Sequence, residues 1–223
     1  MRLSIVLPVL DEADGIAATL ALLAPLRQRG HEVIVVDGGS RDGTPALAAP
    51  AADQVCNSPC GRALQMNAGA AAAHGEVLLF LHADTALPPG ADMLIAQALA
   101  GGSCWGRFDV RIEGRSTVLP LVAALMNLRS RLTGIATGDQ AIFVGTALFR
   151  RLGGYAELPL MEDIELSRRL RAVGPPACLR QRVLTSGRRW EAFGVWRTIF
   201  LMWRLRWQYW RGTPAEVLAR AWR

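Results

Sequence analysis

The chain has 223 residues, 51% of them hydrophobic and 20% charged, with a formal net charge of +6. That length buries one substantial core, and the composition excludes a disordered, collagen-like or disulfide-stapled protein. The positive charge of the side chains is all arginine, concentrated after Arg168, and calls for an anionic partner such as phosphate, nucleic acid or an acidic membrane surface.

In chain order, Leu3 to Leu7 is a short apolar run and predicts a buried strand stopped by Pro8. Ile16, Leu20, Leu23 and Leu26 fall at helical spacing and predict a helix from Asp14 to Arg29, ended by Gly30. Glu32 to Val36 is a second strand, followed by the turn-rich segment Asp37 to Gly43. A short Ala-rich helix, a weak strand near Gln54 to Cys56 and a helix of small residues from Gly61 to Ala73 come next. Glu76 to Leu81 is another strand and runs into His82-Ala83-Asp84.

Strands alternating with helices predict an α/β fold with a mostly parallel sheet and helices on both faces. Ligands of such sheets bind beyond the carboxyl ends of the strands. Asp11-Glu12, Asp37 to Asp42 and His82 to Asp84 each follow a strand, so they are expected to converge on one rim. The second half is less regular. It offers a strand from Cys104 to Ile112 and an apolar helix from Thr117 to Leu132, with Pro120 in its first turn. Thr137-Gly138-Asp139-Gln140 then leads into a strand ending near Val144, and a helix from Leu160 to Ala172 opens with Glu162-Asp163.

The chemistry-bearing residues each admit two readings. Asp84, two residues after His82, can hold a divalent cation against a diphosphate or cap the turn into Thr85. Asp37 suits a turn as well as a ligand contact. Glu162-Asp163 can complement a helix dipole or supply a base. No P-loop, GxGxxG or GxSxG motif occurs, which disfavours a kinase, a dehydrogenase and a serine hydrolase. Cys56, Cys60, Cys104 and Cys178 fit neither a CxxC zinc site nor a disulfide framework and read as reduced thiols. No signal-like segment opens the chain and no uncharged apolar stretch is long enough to span a bilayer; a cytoplasmic protein is expected.

Four segments, in order, resemble family 2 glycosyltransferases of the GT-A fold: Ser4 to Glu12, Val33 to Thr44, Phe80 to Asp84, and Gly153-Gly154-Tyr155 with Met161 to Leu166. The chain is also similar to a compact bacterial branch in which HAD replaces DxD and a GDQ segment precedes a late Arg-Trp. The resemblance covers about residues 3 to 190. It implies an inverting transfer from a nucleotide-diphosphate sugar to an acceptor hydroxyl, assisted by Mn2+ or Mg2+. It implies Asp163 as the base, with Glu162 and Asp139 near it, and Asp84 with His82 at the metal. Nucleotide contacts are expected from Pro8, Asp11, Glu12, Asp37 and Ala83, from Arg62 and Asn67 on the helix after Gly61, and from Arg188, Arg189 and Trp190. His82 departs from the acidic first position of DxD, which favours manganese over magnesium; Gly38 replaces a usual acidic residue and weakens the inference about ribose. Arg62 reads equally as a solvated helix residue, and Asp139 equally as part of a turn.

Residues 1–190 are expected to form the transferase domain, and 191–223 a helical extension that is not an independent domain. Along Val195 to Arg211, Trp196, Ile199, Phe200, Trp203, Trp207 and Trp210 share one helical face, flanked by Arg197, Arg204, Arg211 and Arg206, while Leu201 and Leu205 face the domain. The stripe predicts peripheral contact with an anionic membrane and a membrane-proximal or lipid-linked acceptor, against packing in the core or a dimer; nucleic acid is not expected as a partner. The alternative readings are a sugar-nucleotide-binding protein without turnover and a nucleotidyltransferase. Sugar, base, acceptor and oligomeric state are not written in the sequence.

Overall fold

The computed structural model describes residues 1–222. The first half alternates as expected: β1 (Leu3–Val9), α1 (Ala13–Gln28), β2 (Glu32–Asp37), α2 (Thr44–Ala48), β3 (Gln54–Asn57), α3 (Arg62–Ala72) and β4 (Val77–Phe80). There follow β5 (Thr85–Ala86), α4 (Ala91–Ala100), β6 (Trp105–Glu113), α5 (Leu119–Thr133), a 3-10 turn (Gly138–Gln140), β7 (Phe143–Gly145) and α6 (Thr146–Arg151). The chain ends with α7 (Glu162–Val173), β8 (Ala177–Ser186), α8 (Arg188–Phe193), α9 (Val195–Trp210) and α10 (Ala215–Trp222). One mixed sheet runs in the order β3-β2-β1-β4-β7-β6-β8-β5. β1, β2, β3 and β4 pair in parallel, β7 is antiparallel to both β4 and β6, and β8 runs parallel to β6.

The central strands are mostly apolar because both faces are covered, with Ser4, Glu32 and Asp37 as polar exceptions toward their ends. Ile5, Leu7, Val33 and Val35 pack on the α1 side with Ile16, Leu20 and Leu23, while Val6, Ile34 and Val36 pack on the α3 side with Met66 and Ala70. Gly69 lets α3 lie directly on β1; a Cβ there would collide with the Val6 side chain. The result is a mostly parallel α/β sheet with helices on both faces, followed by C-terminal helices.

Pro8 does not stop β1, contrary to the sequence expectation. Val6 accepts from Leu81 on the β4 side, and Val9 accepts from Gly38 on the β2 side. Alternation therefore turns the Pro8 nitrogen toward β4, beyond Phe80, where that strand has already ended, and no ladder donor is lost. β5, α4, α6, β8 and α8 are not signalled by the sequence pattern. β8 contains the exposed Arg180, Gln181 and Arg182, which break its apolar run; its strand state comes from pairing with β6 across a register shift at Phe108/Asp109.

α9 and α10 dock through a small separate cluster in which Leu205 and Leu218 meet Leu160 and Met161 beside α7. The opposite face of α9 is open: Trp203 is 64% and Trp210 81% exposed, and Trp196, Phe200 and Trp207 are exposed with them. Packing of the tryptophan stripe into the core is thereby excluded, although Ile199 turns partly inward. All four cysteines are free. No described helix is long and apolar enough to cross a membrane.

Candidate active site

The loops after β1, β2 and β4 meet on one rim. The Asp11 N–H donates to Ser40 Oγ at 2.9 Å, and the Asp11 carboxylate accepts from the Arg41 N–H at 2.8 Å. Arg188 joins the third loop to the first, lying 3.2 Å from Glu12 and 3.7 Å from Asp84. The Asp37 carboxylate accepts from the N–H groups of Gly39 and Ser40 and from the Ser40 hydroxyl. It shapes the loop, the turn-forming role open to it from the sequence. Pro8 lies half-buried near the end of β1, and the Ala83 carbonyl accepts from the Thr19 hydroxyl at 2.5 Å.

α3 serves the rim with two side chains. Gln65, which the sequence does not single out, donates from Nε2 to the carbonyls of Val9 and Val36 at 2.8 and 2.9 Å and closes the ends of β1 and β2. Arg62 reaches across the cleft, its guanidinium 3.7 Å from Glu162. Burial works against the Arg62 charge, but the field of Glu162, Asp163, Asp139 and Asp84 outweighs it and raises its pKa. Arg62 keeps 43% of its side chain exposed while it borders the acidic cleft. Asn67 is not a rim residue, contrary to expectation. Its amide donates to the Tyr155 carbonyl at 2.9 Å and accepts from the Tyr155 N–H at 2.8 Å, so both ends are spent on the Gly154-Tyr155 turn.

His82 lies between Asp84 and the GDQ turn. Its Nδ1 lies 3.2 Å from Asp139, and its other edge rests on Gly138, where a Cβ would strike Nε2. The imidazole thus engages Asp139 while bordering the same cavity as Asp84. Gln140 is buried and accepts from the Thr137 N–H at 3.2 Å, so within GDQ the glutamine holds the turn and the aspartate faces the cleft.

Asp163 opens α7. One oxygen accepts from the Gly138 N–H at 3.0 Å and the other from the Ile164 N–H at 2.7 Å. Burial pushes the Asp163 carboxyl above its ordinary value, with Gly138 and Arg62 offsetting part of the shift and Asp139 adding to it. Glu162 is raised in the same way, by burial and then by Asp163. Asp139 goes the other way. Burial would raise it, but the hydrogen bond and charge of His82, with Arg62, hold it below the usual carboxylate range. Environments that drive neighbouring carboxylates apart separate an acid–base role from a fixed-charge role.

Two cavities share Arg62, Asp139, Met202 and Trp222 as walls. One, of about 170 Å3, is bordered by His82, Asp84 and Arg189, and the other, of about 90 Å3, by Glu162 and Asp163. Arg189 is held by the C-terminal helix: its guanidinium lies 3.6 Å from the centre of the Trp222 ring and donates to the Trp222 carbonyl at 2.6 Å. Trp190 is buried beneath it. The non-glycine residues with left-handed backbone among those described are Asp11, Ala141 and Met161, in the β1 loop, after GDQ and before Glu162. Such conformations cost about 1–3 kcal/mol each and concentrate at functional sites.

Among the described residues no group of three or more His, Cys, Asp or Glu side chains is placed to hold a metal ion. Asp84 is the open carboxylate of the upper cavity, its side chain 31% exposed.

The family model for glycosyl transferase family 2 matches residues 4–148, a span that includes Asp84 and Asp139 and ends before Glu162 and Asp163. An uncharacterised glycosyltransferase of Mycobacterium tuberculosis (strain H37Rv) is 32% identical over 182 residues, covering 76% of this chain and 69% of the relative. Among solved structures, S. aureus TarS 1-349 in complex with UDP superposes with a TM-score of 0.66 at 18% identity, over 83% of this chain and 60% of that one. Mannosyltransferase PcManGT from Pyrobaculum calidifontis in complex with GDP-Man and Mn2+ gives 0.62 at 20% identity, over 82% and 56%. Glucosyl-3-phosphoglycerate synthase of Mycobacterium tuberculosis in complex with Mg2+ and UDP gives 0.59 at 24% identity, over 82% and 70%. These likenesses are of fold, and the chain spans under two thirds of the first two structures. The family match and the sequence relative together carry the assignment: the chain belongs to glycosyl transferase family 2 and is a glycosyltransferase.

Proposed function

We propose that the chain transfers a sugar, with inversion, from a nucleotide-diphosphate donor to an acceptor hydroxyl, with Asp163 as the base. The observation that carries this reading is the placement of Asp163, its carboxyl pushed above the ordinary value by burial, in the cavity that Arg62 shares with the strand-end rim. The nucleoside is assigned to the rim formed by Pro8, Asp11, Glu12 and the Asp37 loop. Its diphosphate lies toward Asp84, Ala83 and the arginines Arg62, Arg188 and Arg189, whose guanidiniums suit phosphate oxygens. The acceptor oxygen bonds to the anomeric carbon as the bond to the diphosphate breaks with its electron pair. The acceptor proton passes to Asp163. Glu162 holds Arg62, and Asp139 keeps a fixed negative charge beside it.

One open carboxylate fits a divalent cation only when diphosphate oxygens and water complete the shell, the usual way magnesium is held at such sites. A cation bound there supplies Lewis-acid stabilisation of the charge on the leaving diphosphate. The complexes of the fold relatives with UDP and Mg2+ and with GDP-Man and Mn2+ support this donor class. A thermal-shift screen of nucleoside diphosphates and their sugars, with and without Mn2+, is the direct test. One base should stabilise the fold by up to about 2.7 kcal/mol at a hundredfold excess over Kd, more strongly with cation. Release of pyrophosphate in place of nucleoside diphosphate during turnover would transfer the assignment to a nucleotidyltransferase, and cation-dependent binding with no turnover on any acceptor to a binding protein.

The exposed face of α9 supports peripheral attachment of residues 191–223, as an extension of the same fold, to an anionic membrane surface. Tryptophan rings enter the interface while the flanking arginines keep their charges at the headgroups. Salt-sensitive co-sedimentation with anionic vesicles and not with neutral ones is expected, with loss in Trp203→Ala/Trp207→Ala. Both rings are solvent-facing, so the double variant should fold normally; a native chain that ignores anionic vesicles ends the proposal.

A further inference from the structure

Between α5 and α9 lies an apolar groove of about 420 Å3, walled by Leu125, Leu128 and Leu132 on one side and Ile199, Met202 and Trp203 on the other. The three leucines are 50%, 52% and 77% exposed, which is costly for a helix face with nothing upon it. The groove is not purely apolar. Arg129 and Arg206 line it, and both also line an adjoining cavity of about 620 Å3 with Arg168 and Arg171. Arg206 further borders the cavity that holds Asp163. A single arginine therefore lines the groove, the basic cavity and the cavity that holds the candidate base.

Arg129 supplies the second observation. Its Nε and Nη2 are buried and have no hydrogen-bond partner. A guanidinium in that state is unfavourable unless an acceptor arrives with a ligand. Burial lowers its pKa, against the pull of Asp163 and Asp139. An apolar trough ending on unpartnered cations, next to a carboxylate that takes protons, matches one kind of molecule: an apolar chain, a phosphate and a hydroxyl in that order.

We infer that the α5–α9 groove is the acceptor site, and that the acceptor is an anionic lipid whose phosphate-bearing headgroup also carries the attacking hydroxyl. This rests on the transferase reading, since a hydroxyl at Asp163 presupposes transfer. The chain lies along Leu125, Leu128 and Trp203, the phosphate accepts from Arg129 and Arg206, and the hydroxyl reaches Asp163. The hydroxyl oxygen forms the new bond to the anomeric carbon, its proton goes to Asp163, and the nucleoside diphosphate leaves with the electron pair. Trp203 belongs both to the groove and to the exposed stripe of α9, so a lipid can enter the groove directly from the membrane surface.

The test is binding, by calorimetry, of three probes below their aggregation thresholds: dioctanoyl phosphatidylglycerol, dioctanoylglycerol and glycerophosphoglycerol. The whole amphiphile should bind at least about tenfold tighter than either half. Arg129→Gln should reduce its affinity to that of dioctanoylglycerol, and Leu125→Glu/Leu128→Glu to that of glycerophosphoglycerol. None of these substitutions removes a partnered buried group, and thermal melts check the fold. Equal affinity for the amphiphile and glycerophosphoglycerol, or an unchanged affinity in folded Arg129→Gln, overturns the inference. Nucleoside diphosphate binding, measured on the same native protein, separates the two levels: its absence removes the donor reading, whereas its presence without lipid preference removes only the acceptor assignment.

Discussion

Asp163→Asn is expected to lower turnover by at least about 10²-fold while changing donor affinity little, the pattern of a lost general base. The substitution keeps an oxygen for the Gly138 N–H at the expense of the bond from the Ile164 N–H, and leaves Glu162 beside Arg62. The pH profile is a second readout. Because the folded Asp163 holds its proton above the ordinary carboxylate value, the base is disabled at acid pH and becomes available as pH rises through the raised pKa. The acid limb of kcat/KM in the native enzyme should therefore lie above about 3.9, the ordinary value for aspartate, and fall about tenfold per unit below its midpoint. Residual activity of the variant should lack that limb. Near-normal turnover in Asp163→Asn would move the base to Asp139. The structure ranks Asp139 second because His82 already engages it and holds its pKa down, leaving a weaker base.

Asp84→Ala is expected to remove the cation-dependent part of donor binding and leave the fold intact. With Mn2+ present, the Kd for the nucleoside diphosphate should rise by about 10² or more, to the value of the native chain without metal. Lewis-acid contacts to a diphosphate contribute several kcal/mol, and a half-open carboxylate near Arg188 contributes little to folding. Arg188 would still pair with Glu12. The native chain should show no tight cation binding without nucleotide, because no three-ligand set stands ready among the described residues. Unchanged donor affinity of Asp84→Ala in Mn2+ would sink the assignment, and tight cation binding without nucleotide would show that other residues form the site.

Periodicity was informative wherever burial alone fixes the outcome. β1, β2 and β4 are mostly apolar on both faces because both faces are covered, and their alternation with α1 and α3 requires the following loops to share one rim. Asp11, Glu12, Asp37 and Asp84 are found there. The face of α9 followed from the spacing of its tryptophans, since a helix repeats by residue number alone. The pattern was silent on β8, whose central arginines and glutamine are acceptable only because β6 lies alongside. It was misleading at Pro8, where the missing N–H falls past the end of β4.

What the sequence determined by itself is the layered α/β framework, the edge on which chemistry can occur and the amphipathic ending, because each is set by local periods of apolar residues. Only the tertiary structure decided how the polar side chains are used. It spends Asn67 on Tyr155, 88 residues away, turns His82 to Asp139, and brings Arg188 to Glu12 across 176 residues. It also leaves Arg129, in an apolar-looking helix, without a partner between the leucine groove and the base. Pairings of this kind leave no period in the chain. They depend on which loops close upon one another, and a polar group's role is fixed only when the partner that satisfies it, or the lack of one, is in place.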